Sequence, residues 1–153
     1  MKIKAWHFLK EDRKLQFPPH TKIKAGQTIK VKDEPILCER GLHASIRAFD
    51  ALSYSPGPVV CRVEVSGQIV KGYDKLAGTE RKVLWMADAT ETLRAFSRWC
   101  ALDVIHLWDA PEIVVKYLKT GDESLRAAAW AAAGAAAIDR YNNKLTSMLN
   151  KLK

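Results

Sequence analysis

The residues best suited to chemistry lie in one short run, Cys38-Glu39-Arg40-Gly41-Leu42-His43-Ala44-Ser45. It offers a guanidinium, an imidazole and a hydroxyl within six positions, and Gly41 permits a sharp backbone turn between them. Arg40 could clamp a phosphate or carboxylate in a planar fork, and His43 could carry a proton near neutral pH. His7, in Ala5-Trp6-His7-Phe8, is a second imidazole, and Glu80 in Glu80-Arg81-Lys82 could stand at a cleft rim. An enzymatic reading would therefore rest on His7, His43, Ser45 and Glu80. Each has a plainer role as well: Ser45 as a helix cap, His43 as a hydrogen-bonded structural residue, and Glu80 in a solvated loop. His20 and His106 have no metal-ligand spacing, and the chain contains no HExxH, P-loop, GxGxxG or GxSxG motif.

The elements that must position these groups follow from periodicity. Lys2–Leu9 reads as a first strand, and Phe17-Pro18-Pro19-His20 as a turn. Residues 21–24 and 27–32 alternate with period two around Ala25-Gly26, giving short strands with one face lined by Lys22, Lys24, Lys30 and Lys32. Gly41–Ala44 looks extended, and Ser45 is placed to cap a short helix burying Ile46, Phe49 and Leu52. Val59–Ser66 alternates most cleanly of all, Gln68–Lys71 continues it, residues 73–79 form a loop, and Lys82–Met86 is another strand. From Ala89 the period becomes 3.6. Thr90 caps a helix carrying Leu93, Phe96, Cys100, Val104 and Leu107; Pro111 opens a second, which Gly121 ends, and Asp122 caps a third.

That third helix is the most regular feature. Ile138, Tyr141, Leu145, Met148 and Leu152 alternate by threes and fours, a spacing that runs back through Gly134, Ala131 and Ala127. This seam either packs on the preceding helices or forms an interface with another copy or another protein. Trp130, alone among alanines, is expected half-buried at a contact. The fold class is thus α+β: a mixed, mainly antiparallel sheet with one short helix, then a helical region with a long alanine-rich helix. The expected organisation is a single domain over residues 1–153, β-rich over 1–88 and helical over 89–153.

Composition adds boundaries. The 153 residues carry a net charge of +8, with 48% apolar and 27% charged side chains, ordinary for a globular chain. The basic excess sits at the two ends: residues 1–35 hold nine Lys and Arg against four Asp and Glu, and residues 127–153 hold four against one. Such asymmetry favours an anionic partner, although lysines also keep edge strands from aggregating. Cys38, Cys61 and Cys100 are widely spaced and lie among apolar neighbours, so buried free thiols and a reducing compartment are expected. No run is long and apolar enough for a signal peptide or a membrane span.

Two resemblances add to this. The run Pro35–Ser45 with Leu-Cys-Glu-Arg-Gly-Leu-His-Ala at its heart, the strand Cys61–Gly67, Glu80–Leu84 and the alanine-rich tail ending Tyr141-Asn142-Asn143-Lys144-Leu145 together resemble a family of uncharacterised phage and prophage proteins. That resemblance implies a protein acting in the host cytoplasm on host machinery, such as a defence system of the CRISPR kind. More faintly, Trp6-His7, then Gly41–Ser45 before a short helix, then Ala51-Leu52-Ser53-Tyr54 and a valine-rich strand, is similar to the front of an ADP-ribosyltransferase fold. In that case His7 would hold the ribose of NAD and Ser45 would pack its nicotinamide, with Glu80 or Glu112 standing in for the late glutamate.

The leading expectation is a non-enzymatic interaction protein with no cofactor. It would bind an anionic or nucleoprotein host partner, or nucleic acid directly, through Arg40 and the lysine-bearing strands. It would be a monomer or a weak homo-oligomer through Trp130, Ile138, Tyr141, Leu145 and Met148. The alternatives are an NAD-dependent ADP-ribosyltransferase-like enzyme and a structural phage component.

Overall fold

The computed structural model describes residues 1–17 and 20–149; Pro18, Pro19 and Leu152 of the elements above lie outside the described residues. The fold is α+β, with an antiparallel sheet in the N-terminal half and helices in the C-terminal half. The chain forms two compact units, Met1–Thr90 and a second beginning at Glu91, and the change of period at Ala89 marks their junction.

The first unit is built on two long strands, β4 (Val59–Lys71) and β5 (Leu76–Asp88), joined as a hairpin. β1 (Ile3–Leu9) pairs antiparallel with β4, β2 (Thr28–Lys30) with the middle of β5, and β3 (Leu42–Ala44) with its start. Ser45, one residue past β3, pairs with Trp6 on the free edge of β1 through Trp6 N–H to Ser45 O (2.7 Å) and Ser45 N–H to Trp6 O (3.0 Å). The strands β1, β4, β5 and β3 therefore close on themselves at that end, which removes the exposed edges an open sheet would carry. Inside lie Ala5, Leu9, Ala44, Val59, Cys61, Val63, Val65, Leu76 and Val83, with Ile23 brought in by the loop between β1 and β2. The alternation seen along Val59–Ser66 is this inner face, each buried residue followed by a half-buried one.

Several expectations are corrected. Residues 73–79 are not all loop: β5 already begins at Leu76, because this segment fills the gap between β3 and the end of β4. Gly78 allows it, since a side chain there would run into Val65 at 2.4 Å. Residues 21–24 contribute only an isolated bridge between Lys22 and Lys14, while Ile23 plugs the core. Ser45 caps no helix, because its backbone is spent on Trp6. The short helix α1 (Ala48–Ser53) follows Arg47, and it buries Ala51 while Ile46 and Phe49 stay exposed. Cys38 is exposed rather than buried, at the tip of a turn with φ of 65°.

Thr90, expected as a cap, is instead the first residue of α2 (Thr90–Asp103), and the Asp88 carboxylate accepts from its N–H and hydroxyl. Pro111 and Gly121 bound α3 (Glu112–Thr120), Gly121 taking the left-handed φ of 69° that ends a helix without steric cost. Asp122 then accepts from Ser124 N–H and leads through a short 3-10 turn into α4 (Arg126–Leu149). Val114 and Ala129 are buried between α3 and α4. Trp130, expected half-buried, is 74% exposed. No helix among the described residues is long and apolar enough to cross a membrane.

Candidate functional site

Two faces of the β unit gather chemistry-bearing side chains. On the inner face, His7 lies opposite Cys61 across the β1–β4 pair, and Arg81 lies opposite Val65 on β5. Arg81 is 2% exposed, its Nε is enclosed without a hydrogen-bond partner, and it forms no ion pair among the described residues. Its Nη1 donates to the carbonyl of His43, tying β5 to β3. Burial alone costs a guanidinium several kcal/mol when no carboxylate compensates, and here it lowers the Arg81 pKa to about 10. Burial holds the His7 imidazole well below its usual range, and the fields of Arg81 and His43 add to this. Burial likewise raises the Cys61 thiol to about 11. The inner cluster at neutral pH is therefore a neutral imidazole, an un-ionised thiol and one sealed cation. It supplies no ionised nucleophile.

The run around Arg40 is a closed local structure. Ile36 and Arg40 exchange backbone hydrogen bonds (2.9 and 3.0 Å) around Cys38. The His43 ring turns back onto this hairpin: Cys38 N–H donates to Nε2 at 3.1 Å, and Nδ1 stands 3.2 Å from the Gly41 carbonyl. An N–H donating to Nε2 requires that nitrogen to be unprotonated, so the proton sits on Nδ1 and donates to Gly41. Desolvation, opposed by the Gly41 hydrogen bond and reinforced by Arg81 and Lys75, lowers the His43 pKa. Both ring nitrogens are thus engaged in holding the turn. Arg40 is exposed, and its Nε donates to the Glu34 carbonyl at 3.0 Å.

The outer face of the sheet reads differently. Trp6, Arg62 and Trp85 stand side by side across β1, β4 and β5. The Arg62 guanidinium lies 4.5 Å from the centre of the Trp6 ring, and Trp85 meets Trp6 edge to face at 5.8 Å. Arg62 Nη1 has no hydrogen-bond partner, and Trp85 is 45% exposed. The next cross-strand row holds Lys4, Glu64 and Lys82, and the row beyond it Ser66, Glu80 and Lys30. Lys2 pairs with Glu64 at 3.0 Å and Lys30 with Glu80 at 2.8 Å, whereas Lys4 and Lys82 form no ion pair among the described residues. The Lys30 partnership holds the Glu80 carboxyl below its usual range.

The structure thus brings His7 and His43 within electrostatic reach of Arg81 and sets Ser45 beside Trp6. It places Glu80 on the outer face, bonded to Lys30 and Ser66, away from the inner-facing His7. Ser45 is only 2% exposed. Lys22, Lys24, Lys30 and Lys32 are all exposed as expected, but of these Lys30 alone lies on a strand. Sequence reasoning missed Lys4, Arg62, Lys82 and Trp85. Their signal was present, since Trp6 and Arg62 occupy solvent-side positions of alternating strands, but only the cross-strand register makes them neighbours. Among the described residues no group of three His, Cys, Asp or Glu side chains could hold a metal ion.

A family model described as a domain of unknown function, DUF7666, matches residues 3–95, and the chain belongs to that family. The match spans the whole closed sheet and the start of α2. No curated protein and no solved structure matches the chain.

Proposed function

We propose that this DUF7666 protein is a non-enzymatic interaction protein that binds an anionic partner on the outer face of its sheet, and that single-stranded nucleic acid is the partner the face fits. The observation that carries this reading is the Trp6–Arg62–Trp85 row bordered by lysines. Proteins that hold single strands combine cations that track phosphates with flat side chains on which bases stack. Trp85 supplies the stacking surface, braced by Trp6 and Arg62, and Lys4 and Lys82, unpaired within the described residues, supply the phosphate contacts. A nucleoprotein partner, as the phage resemblance implies, would present the same chemistry.

Labelled oligo-dT and oligo-U test it by anisotropy together with tryptophan quenching. Binding is expected at about 50 mM salt and should weaken steeply by about 200 mM, because phosphate contacts release counterions. Trp85→Ala should weaken it roughly tenfold or more, since a stacked base contributes about 1–3 kcal/mol, and Lys82→Glu should weaken it and reduce its salt dependence by removing a phosphate contact. No binding at low salt, or binding that neither variant changes, overturns the proposal.

The rival reading is NAD-dependent transfer. It draws on the Trp6–Ser45 pairing, which sets His7 and Ser45 at neighbouring strand positions. The burial of Ser45 and the outward position of Glu80 weigh against it. Label transferred from NAD to a lysate protein, and lost in His7→Ala, would replace our reading with this one.

A further inference from the structure

The helical unit leaves an apolar face bare. Along α4, Ile138, Tyr141, Leu145 and Met148 keep the alternation of threes and fours and are 68, 63, 56 and 55% exposed. The side of α4 turned inward is another one: Ala129, Ala132, Ala133, Ala136 and Ala137 are its less exposed residues. At about 100° per residue these two stripes lie on roughly opposite sides of the helix. The chain packs the alanine stripe and leaves the seam to solvent.

Gly134 indicates what the seam meets. It lies on the exposed seam in the middle of α4, where glycine costs about 1 kcal/mol of helix stability relative to alanine. A side chain there would meet nothing within 4 Å, so nothing among the described residues uses its smallness. A second helix approaching along the seam would. The seam is also graded in size, with Ala127, Ala131 and Gly134 in its first half and Tyr141, Leu145 and Met148 in its second. Two parallel copies would crowd the large halves together and leave a void between the small ones, which close packing penalises. Antiparallel copies set large against small in the outer layers, Met148 on Ala131 and Leu145 on Gly134, and meet at the centre with Tyr141 beside Ile138. In this register the a and d positions of the seam alternate across the pair, and the two-fold axis passes between Asp139 and Arg140.

We propose that two copies of this chain associate through α4 as an antiparallel helix pair, the Ala131–Ile138 half of one seated on the Tyr141–Met148 half of the other. Such a contact is isologous and closes at two copies. A single helix pair is a small interface, so a dissociation constant of roughly micromolar order is expected.

Sedimentation of the full chain across about 1 to 500 µM brackets a constant of that order and should show the mass rising from 17.2 kDa to that of a dimer. Leu145→Glu and Gly134→Leu should each raise the dissociation constant at least about tenfold, as buried interface positions do. Both positions are exposed in the single chain, so the fold survives either change, and Gly134→Leu should raise helicity while weakening the dimer. For orientation, chains carrying Cys38→Ser with either Ala131→Cys or Met148→Cys are oxidised alone and mixed. The mixed disulfide should dominate. A monomer throughout the range, a dimer that both seam variants leave intact, or cross-linking of Ala131→Cys to itself in preference to the mixture would overturn the proposal.

Discussion

The two units solve the problem of burying apolar surface in opposite ways. The β unit closes its sheet, encloses an aliphatic interior and even seals a guanidinium, Arg81, within it. The helical unit packs alanine against α3, fully buries only Val114 and Ala129 among its described residues, and exposes its largest apolar side chains along α4. A closed sheet satisfies its backbone and core together, whereas a helix with apolar stripes on two sides still has one to cover after the first is packed. The β unit is thus a self-sufficient scaffold with a surface to offer, and the helical unit is an unfinished pair.

The sharpest way to test this contrast is to hollow out the core. Leu9→Ala, at 1% exposure, should cost about 2–5 kcal/mol by lost burial and the cavity left behind. Hydrogen exchange read separately on β4 and α3 amides should show the loss concentrated in β4. Equal loss in both would mean that the units unfold as one and would break the contrast.

A smaller effect should appear on acidification. The folded pKa values of His7 and His43 lie below the unfolded value of 6.5. Above that pH both states are neutral and stability does not change. Below it the unfolded chain binds protons that the fold excludes, so stability falls as pH drops from 6.5 towards the folded pKa values. The slope is up to about 1.4 kcal/mol per pH unit for His7, and less for His43, which water partly reaches. Urea unfolding at pH 7.5, 6.5 and 5.5 should show a flat and then a falling profile, and His7→Gln should remove most of the slope. A profile unchanged by that substitution would show that His7 is not the buried neutral base described.

The smallest effect belongs to the seam. Leu145→Ala, measured at dilution where the chain is monomeric, should change stability by no more than about 0.5 kcal/mol, as for other exposed positions. A large loss there would mean the seam is already packed within one chain.

Much of this organisation was legible in the residues. The alternation of Val59–Ser66 marked its inner face, Pro111, Gly121 and Asp122 marked helix ends, and the spacing from Ala127 to Met148 marked a seam, because each of these signals is local. Local signals failed where long-range pairing won. Leu76–Gly78 reads as loop yet becomes strand once β3 lies beside it, and Ser45 reads as a cap yet spends its backbone on Trp6. Trp130 reads as an anchor yet faces solvent.

The sequence by itself determined the strands at Lys2–Leu9 and Val59–Ser66, the helices after Ala89, the exposure of the four lysines, and the existence of a graded seam on α4. Only the tertiary structure decided that Arg81 lies inside, that His43 is locked by Cys38 and Gly41, and that Trp6, Arg62 and Trp85 form one row. The reason is register. A strand's pattern tells which residues share a face, but which residues of different strands become neighbours depends on pairings that no single segment encodes.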